Sequence, residues 1–127
     1  MRELKIEKYV LFLGYRENVY DFMNLCDIVC NCSIEPEPFG RTIIEAMALK
    51  KVVFSTNLGG PLEIIENGVD GFLCPLDADI IARKIIDVLE NRGLAQKIGE
   101  NAYKKAFNDF NIENQIKKIE SLYEDLI

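Results

Sequence analysis

Ser33-Ile34-Glu35-Pro36-Glu37-Pro38-Phe39-Gly40-Arg41-Thr42-Ile43-Ile44-Glu45-Ala46-Met47-Ala48 is the stretch whose reading decides the fold. An apolar strand runs into it, two prolines and a glycine turn the chain, and the residues after the turn carry helical apolar periodicity. Glu37 and Glu45 bracket seven residues. One carboxylate therefore sits in the loop at a strand exit and the other about one turn into a helix, where both can face the same small ligand.

The amides of Gly40, Arg41 and Thr42 fall where that helix starts. Such amides have no intrahelical partner, and together with the helix dipole they can hold a phosphate. Gly40 lets a ligand approach the backbone closely. A carboxylate placed like Glu45 can accept two hydrogen bonds from the vicinal hydroxyls of a ribose, as the acidic residue of dinucleotide-binding folds does. Glu37, nearer the loop, would then meet a sugar. The pattern suits a sugar nucleotide. Read alone, Thr42-Ile43-Ile44-Glu45 also fits a capping box that satisfies helix-end amides and binds nothing.

Working outward, Tyr9-Val10-Leu11-Phe12-Leu13, closed by Gly14, reads as a first strand buried on both faces of a parallel sheet. Val19, Phe22, Met23 and Cys26 recur at helical spacing, and Ile28 to Cys32 is a second strand. After the central helix, Thr42 to Leu49, come a third strand over Val52 to Thr56 and a loop with Gly59-Gly60-Pro61. A helix from Pro61 to Glu66 follows, then a fourth strand within Val69 to Pro75, at or near the sheet edge. Asp77 caps a helix from about Ala78 to Asn91, with Gly93 after its end. Leu94 to Phe107 and Ile112 to Leu126 are the last helices. The expected fold is α/β: a Rossmann-like parallel sheet of about four strands flanked by helices. The loops Gly14 to Arg16, Pro36 to Thr42 and Asn57 to Pro61 would lie along one sheet edge and line one cleft.

With 127 residues, 49% of them hydrophobic, the chain has room for one domain. Its net charge of -6 and pI near 4.7 argue against a nucleic-acid partner, which would call for a basic face. It has no transmembrane segment, and its N-terminal residues lack the apolar core of a signal peptide, so the expected location is cytoplasmic. The absence of histidine excludes any histidine-dependent mechanism. Cys26, Cys30, Cys32 and Cys74 fall in apolar segments and read as buried, reduced thiols with no metal or disulfide role.

The run Glu37-Pro38-Phe39-Gly40-Arg41-Thr42-Ile43-Ile44-Glu45 resembles the E-x7-E signature of retaining, nucleotide-sugar-dependent glycosyltransferases of the two-Rossmann-domain (GT-B) type. Leu13-Gly14, Asp27 to Ser33, Val52-Val53 leading to Gly59-Gly60, and Gly71-Phe72-Leu73 follow the same family's order, over roughly Val10 to Glu90. The resemblance implies that Glu37 contacts the donor sugar near the reacting carbon, that amides around Phe39, Gly40 and Arg41 hold sugar hydroxyls, and that the Thr42 amide holds the distal phosphate. Glu45 would bind the ribose, the Tyr15 loop the base, and Gly59-Gly60 would lie near the phosphates. It implies no metal and no cofactor, the nucleoside-diphosphate sugar being the substrate, with a saccharide or lipid-linked acceptor.

The resemblance also implies the later part of a C-terminal donor-binding domain. The family's basic pair precedes the strand near Tyr9, and its acceptor-binding domain precedes that, so the isolated chain is expected to be inactive without a partner half. Arg16 and Arg41 could supply phosphate charge or be solvated surface residues. Ile112, Ile116, Ile119, Tyr123 and Leu126 form a stripe for packing on the chain's own core, or for contact with a separate N-terminal chain or a second copy. Asp77-Ala78-Asp79 has the form of a D-x-D metal motif but sits where a helix cap belongs. A non-catalytic nucleotide-binding remnant or interaction module stands beside the transferase reading. A response-regulator-like domain would need an acidic cluster that Leu11-Phe12-Leu13-Gly14 lacks.

Overall fold

The computed structural model describes residues 4–126. Three parallel strands, β1 (Ile28–Asn31), β2 (Val52–Thr56) and β3 (Phe72–Cys74), form one sheet in chain order. Register pairs Cys30 with Phe54 and Phe54 with Phe72. The helices are α1 (Val19–Leu25), α2 (Arg41–Ala48), α3 (Pro61–Ile64), α4 (Ala78–Glu90), α5 (Arg92–Asp109) and α6 (Ile112–Glu124). β2 is the only one of the three strands with a neighbour on each side, and every one of its residues is buried.

Period-two alternation along β2 divides the core between the two sheet faces. Val53 joins Ile43, Ala46, Met47, Ile64, Ala102 and Ala106 on the face covered by α2 and the second half of α5. Val52 and Phe54 join Cys74, Val88 and Ile98 on the face covered by α4 and the first half of α5. Phe54 stacks on Phe72 with centroids 4.8 Å apart. Asp70, 3% exposed, is held by Lys105 Nζ at 3.0 Å and by the Glu66 amide at 2.8 Å, which fastens the turn before β3 to α5.

The sheet has three strands rather than the expected four. Tyr9 to Leu13 is not a strand: a short 3-10 turn covers Glu7–Tyr9, and Leu11 and Phe12 are exposed. The reason is topological. The three strands pair only with one another, β1 with β2 and β2 with β3, so among the described residues the Tyr9 to Leu13 backbone has no strand beside it to accept its hydrogen bonds.

Burial of the thiols also departs from expectation. Cys74 is buried, whereas Cys26, Cys30 and Cys32 are exposed, and all four are free. β1 is the outermost strand, so Cys30 has no neighbouring strand on its outer side, and Cys26 lies at the end of α1, where its Sγ donates to the Phe22 carbonyl at 3.2 Å. The Cys30 thiol is nonetheless pushed up from its ordinary 9.0 to about 11, first by desolvation and then by neighbouring Cys32. In the unsubstituted chain, iodoacetamide alkylation mapped to Cys30 by mass spectrometry is therefore expected to be slow up to pH 9 and faster through about pH 11. Because the folded state holds this proton more tightly, the stability it contributes is present below pH 9 and lost between 9 and 11. A reaction rate that levels off below pH 9 would contradict this.

One helix end differs as well. Gly93 does not follow a helix end but lies in the first turn of α5, because Asn91 closes α4 and caps α5, its Oδ1 accepting from the Leu94 amide at 3.0 Å. Asp77 caps α4 as expected, Oδ1 accepting from the Asp79 and Ile80 amides at 3.0 Å each.

Candidate functional site

The site begins at the strand exits. Thr56 Oγ1 donates to the Ser33 carbonyl at 2.8 Å and Ser55 Oγ to the Asn31 carbonyl at 3.1 Å. Both hydroxyl residues are 1% exposed, so these bonds satisfy buried polar groups while fixing the ends of β1 and β2 side by side. Beyond them the two loops continue as one ladder. Glu37 and Gly59 form an isolated parallel bridge, and the Gly60 amide donates to the Glu37 carbonyl at 2.6 Å.

Only glycines fit this contact. A Cβ on Gly59 would lie 2.5 Å from the Glu37 carbonyl oxygen, and one on Gly60 would lie 2.5 Å from that of Phe39. Gly59 also has φ +70°, in the left-handed region. Gly59-Gly60 and Glu37 to Arg41, marked separately in the sequence, are thus a single structural unit.

Gly40 ends the turn with φ +95° and is the N-cap of α2. The first helical bond runs from the Ile43 amide to the Gly40 carbonyl at 3.0 Å, so the Arg41 and Thr42 amides precede the intrahelical ladder. No side chain caps this end. The capping-box alternative therefore fails: the helix starts one residue before Thr42, and Glu45 turns away from the helix-end amides. Glu45 Oε1 instead accepts from Arg41 Nε at 2.9 Å and from the Tyr20 hydroxyl at 3.2 Å. Its side chain is 18% exposed, against 84% for Arg41. Phe39 is about half exposed and meets Phe110 edge-on, 6.4 Å between centroids. Beside them opens a cavity of about 480 Å³ lined by Phe39, Arg41, Ile44, Phe110 and Gln115.

The structure thus brings together Glu37, Phe39, Gly40, Gly59 and Gly60 at one turn, with Arg41, Thr42 and Glu45 following on α2. Tyr15 and Arg16 are not joined to this group by any hydrogen bond among the described residues. Tyr15 is 90% exposed, and the Arg16 guanidinium lies over the Phe22 ring, 5.8 Å from its centroid. Tyr20 is the residue that sequence reading missed. Its helix was legible, but nothing local marks a bond to a carboxylate 25 residues away. Among the described residues, no cluster of three or more histidine, cysteine, aspartate or glutamate side chains is placed to hold a metal ion, and no helix is long and apolar enough to cross a membrane.

Comparison with known proteins agrees with this architecture. Alr3699/HepE of Anabaena, solved in complex with UDP, is 36% identical and superposes with a TM-score of 0.90 over 97% of this chain and 34% of its own. The same protein was also solved with UDP-glucose. The C-terminal domain of a glycosyl transferase group 1 family protein (LpcC) from Francisella tularensis superposes with a TM-score of 0.74 at 28% identity, covering 87% of this chain and 60% of that one. N-acetyl-alpha-D-glucosaminyl L-malate synthase of Bacillus anthracis is 33% identical over 128 residues, all of this chain and 33% of that protein. The chain spans about a third of the length of such relatives. The family described as glycosyl transferases group 1 matches residues 1–105. With that match, and with a parallel sheet and helices that superpose on GT-B enzymes, the chain belongs to the glycosyl transferases group 1 family, as part of a C-terminal domain.

Proposed function

We propose that this chain is the donor-binding face of a glycosyltransferase, holding a nucleoside-diphosphate sugar for transfer, with retention of configuration, to a saccharide or lipid-linked acceptor. The single observation that carries this reading is the pairing of the Glu37 to Arg41 turn with Gly59-Gly60, which sets a helix N-terminus with free amides at the C-terminal end of the sheet. That is where parallel α/β sheets bind ligands. A UDP-glucose complex of a protein 36% identical to this chain supports the ligand class.

In this reading the Arg41 and Thr42 amides, with the α2 dipole, hold the diphosphate and stabilise the charge it gains as the glycosidic bond breaks. Glu45 binds the ribose hydroxyls. Glu37, anchored through its backbone to Gly60, positions the sugar as its anomeric carbon gains oxocarbenium character. Arg41 itself carries one of these amides, and its exposed guanidinium can turn to the diphosphate. Neither a metal nor a cofactor takes part. Acceptor binding belongs to another part of the enzyme. The apolar stripe of α6, with Ile112, Ile116, Ile119 and Tyr123 all exposed, is the surface we assign to contact with it.

Titrating the chain with UDP, GDP and ADP while following amide NMR shifts tests the site. The expected result is that at least one nucleotide moves the Phe39 to Glu45 amides; no movement with any of them sinks the donor-binding reading. Glu45→Ala is expected to weaken binding by about 1 to 3 kcal/mol, the worth of hydrogen bonds to a charged group. Unchanged affinity would remove Glu45 from the ribose site.

A further inference from the structure

Glu45 is reached by two donors that differ in kind. Arg41 lies on the same helix, four residues earlier, and its side chain is 84% exposed. An exposed i,i+4 ion pair on a long flexible stem contributes little and breaks readily. Tyr20 comes from α1, 25 residues away, and has only two side-chain torsions to fix. Its helix is tied down: Met23 is buried, and Lys51 Nζ donates to the Asn24 carbonyl at 2.7 Å, joining the end of α1 to the residues before β2. Both donors end on Oε1 of Glu45, and no hydrogen bond to Oε2 is formed among the described residues.

We propose that Tyr20 is a positioning residue for nucleotide binding, its hydroxyl holding Oε1 of Glu45 so that the carboxylate stays presented to a vicinal diol. This rests on the assignment of Glu45 to the ribose. A neutral hydroxyl suits the task because it orients the carboxylate without neutralising it, and a hydroxyl can rotate to follow the oxygen. Arg41 cannot serve equally, since a diphosphate arriving at the α2 amides competes with Glu45 for its guanidinium. Tyr20 has no anion to follow and remains in place when the ligand enters. The carboxylate then meets the diol already oriented, which lowers the ordering cost of binding.

Calorimetric titration of the full chain with whichever of UDP, GDP and ADP binds most tightly, and with its 2′,3′-dideoxy form, tests this. Tyr20→Phe is expected to weaken the ribonucleotide about 5-fold, one hydrogen bond's worth, while leaving the dideoxy form unchanged. On a Glu45→Ala background the same substitution is expected to have no effect on either ligand. Equal losses for both ligands, or a loss that persists without Glu45, would mean that Tyr20 acts on folding and would overturn the proposal, as would unchanged ribonucleotide affinity. If Glu45→Ala leaves binding intact, or if no nucleotide binds the unsubstituted chain, the ribose assignment itself fails, a result distinct from a silent Tyr20→Phe.

Discussion

Gly60→Ala is expected to destabilise the fold by about 3 kcal/mol, from roughly 1 to 3 kcal/mol of overpacking and about 1 kcal/mol for the ladder bond it breaks. It is also expected to abolish nucleotide binding. The added Cβ would sit 2.5 Å from the Phe39 carbonyl oxygen and 2.8 Å from the Phe39 carbonyl carbon and Cα. All three are backbone atoms, so no side chain can swing aside. The two loops must separate, and the Gly60 amide then leaves the Glu37 carbonyl. For a chain of this size the loss corresponds to a fall in Tm of roughly 10 °C. Gly68→Ala is the control. Its φ is left-handed, at +80°, where Gly60 has a right-handed helical φ of -51°, but nothing lies within 4 Å of the added carbon, so only backbone strain of about 1 kcal/mol is expected. If Gly60→Ala melts no lower than Gly68→Ala and binds nucleotide normally, the loop pairing is not what builds the site.

Gly99→Val is expected to cost about 3 to 4 kcal/mol, seen as a lower midpoint in urea with an unchanged slope. Gly99 lies within α5, buried, and its Cβ would collide with the Lys50 carbonyl oxygen. Lys50 is itself in the left-handed region, φ +57°, where the chain reverses between α2 and β2. That carbonyl cannot retreat without moving both elements. A glycine at an ordinary helix position costs about 1 kcal/mol relative to alanine, so relief of helix propensity alone would make Gly99→Ala stabilising. Close packing outweighs it, and Gly99→Ala is expected to destabilise by about 1 to 2 kcal/mol. Stabilisation by alanine would show that α5 stands further from the sheet than the packing requires.

Much of this fold could be read along the chain. The runs that became β1, β2 and β3 were legible as apolar segments closed by turn residues, and Asp77 as a cap. Pro61 is at the first turn of α3 as its type suggests. The failures share a cause. Tyr9 to Leu13 has strand composition, but a strand needs a neighbour to accept its hydrogen bonds, and composition does not supply one. Cys30 and Cys32 look buried in a window of apolar neighbours, yet β1 is at the edge of the sheet. The Thr42 and Glu45 spacing is that of a capping box, but Gly40 takes the cap position and begins the helix one residue earlier.

The Glu37 to Glu45 stretch, by itself, determined the turn, the helix that follows it and the free amides at its start. These depend on torsional preferences and hydrogen bonding within a few residues, and such terms are written locally. Tertiary structure alone decided that Gly59-Gly60 fastens that turn from the next strand exit, that Tyr20 holds Glu45, and that α6 leaves its apolar stripe uncovered. Each of these depends on which backbones and side chains meet across 20 or more residues of chain, a matter of strand order and helix packing on which local pattern is silent.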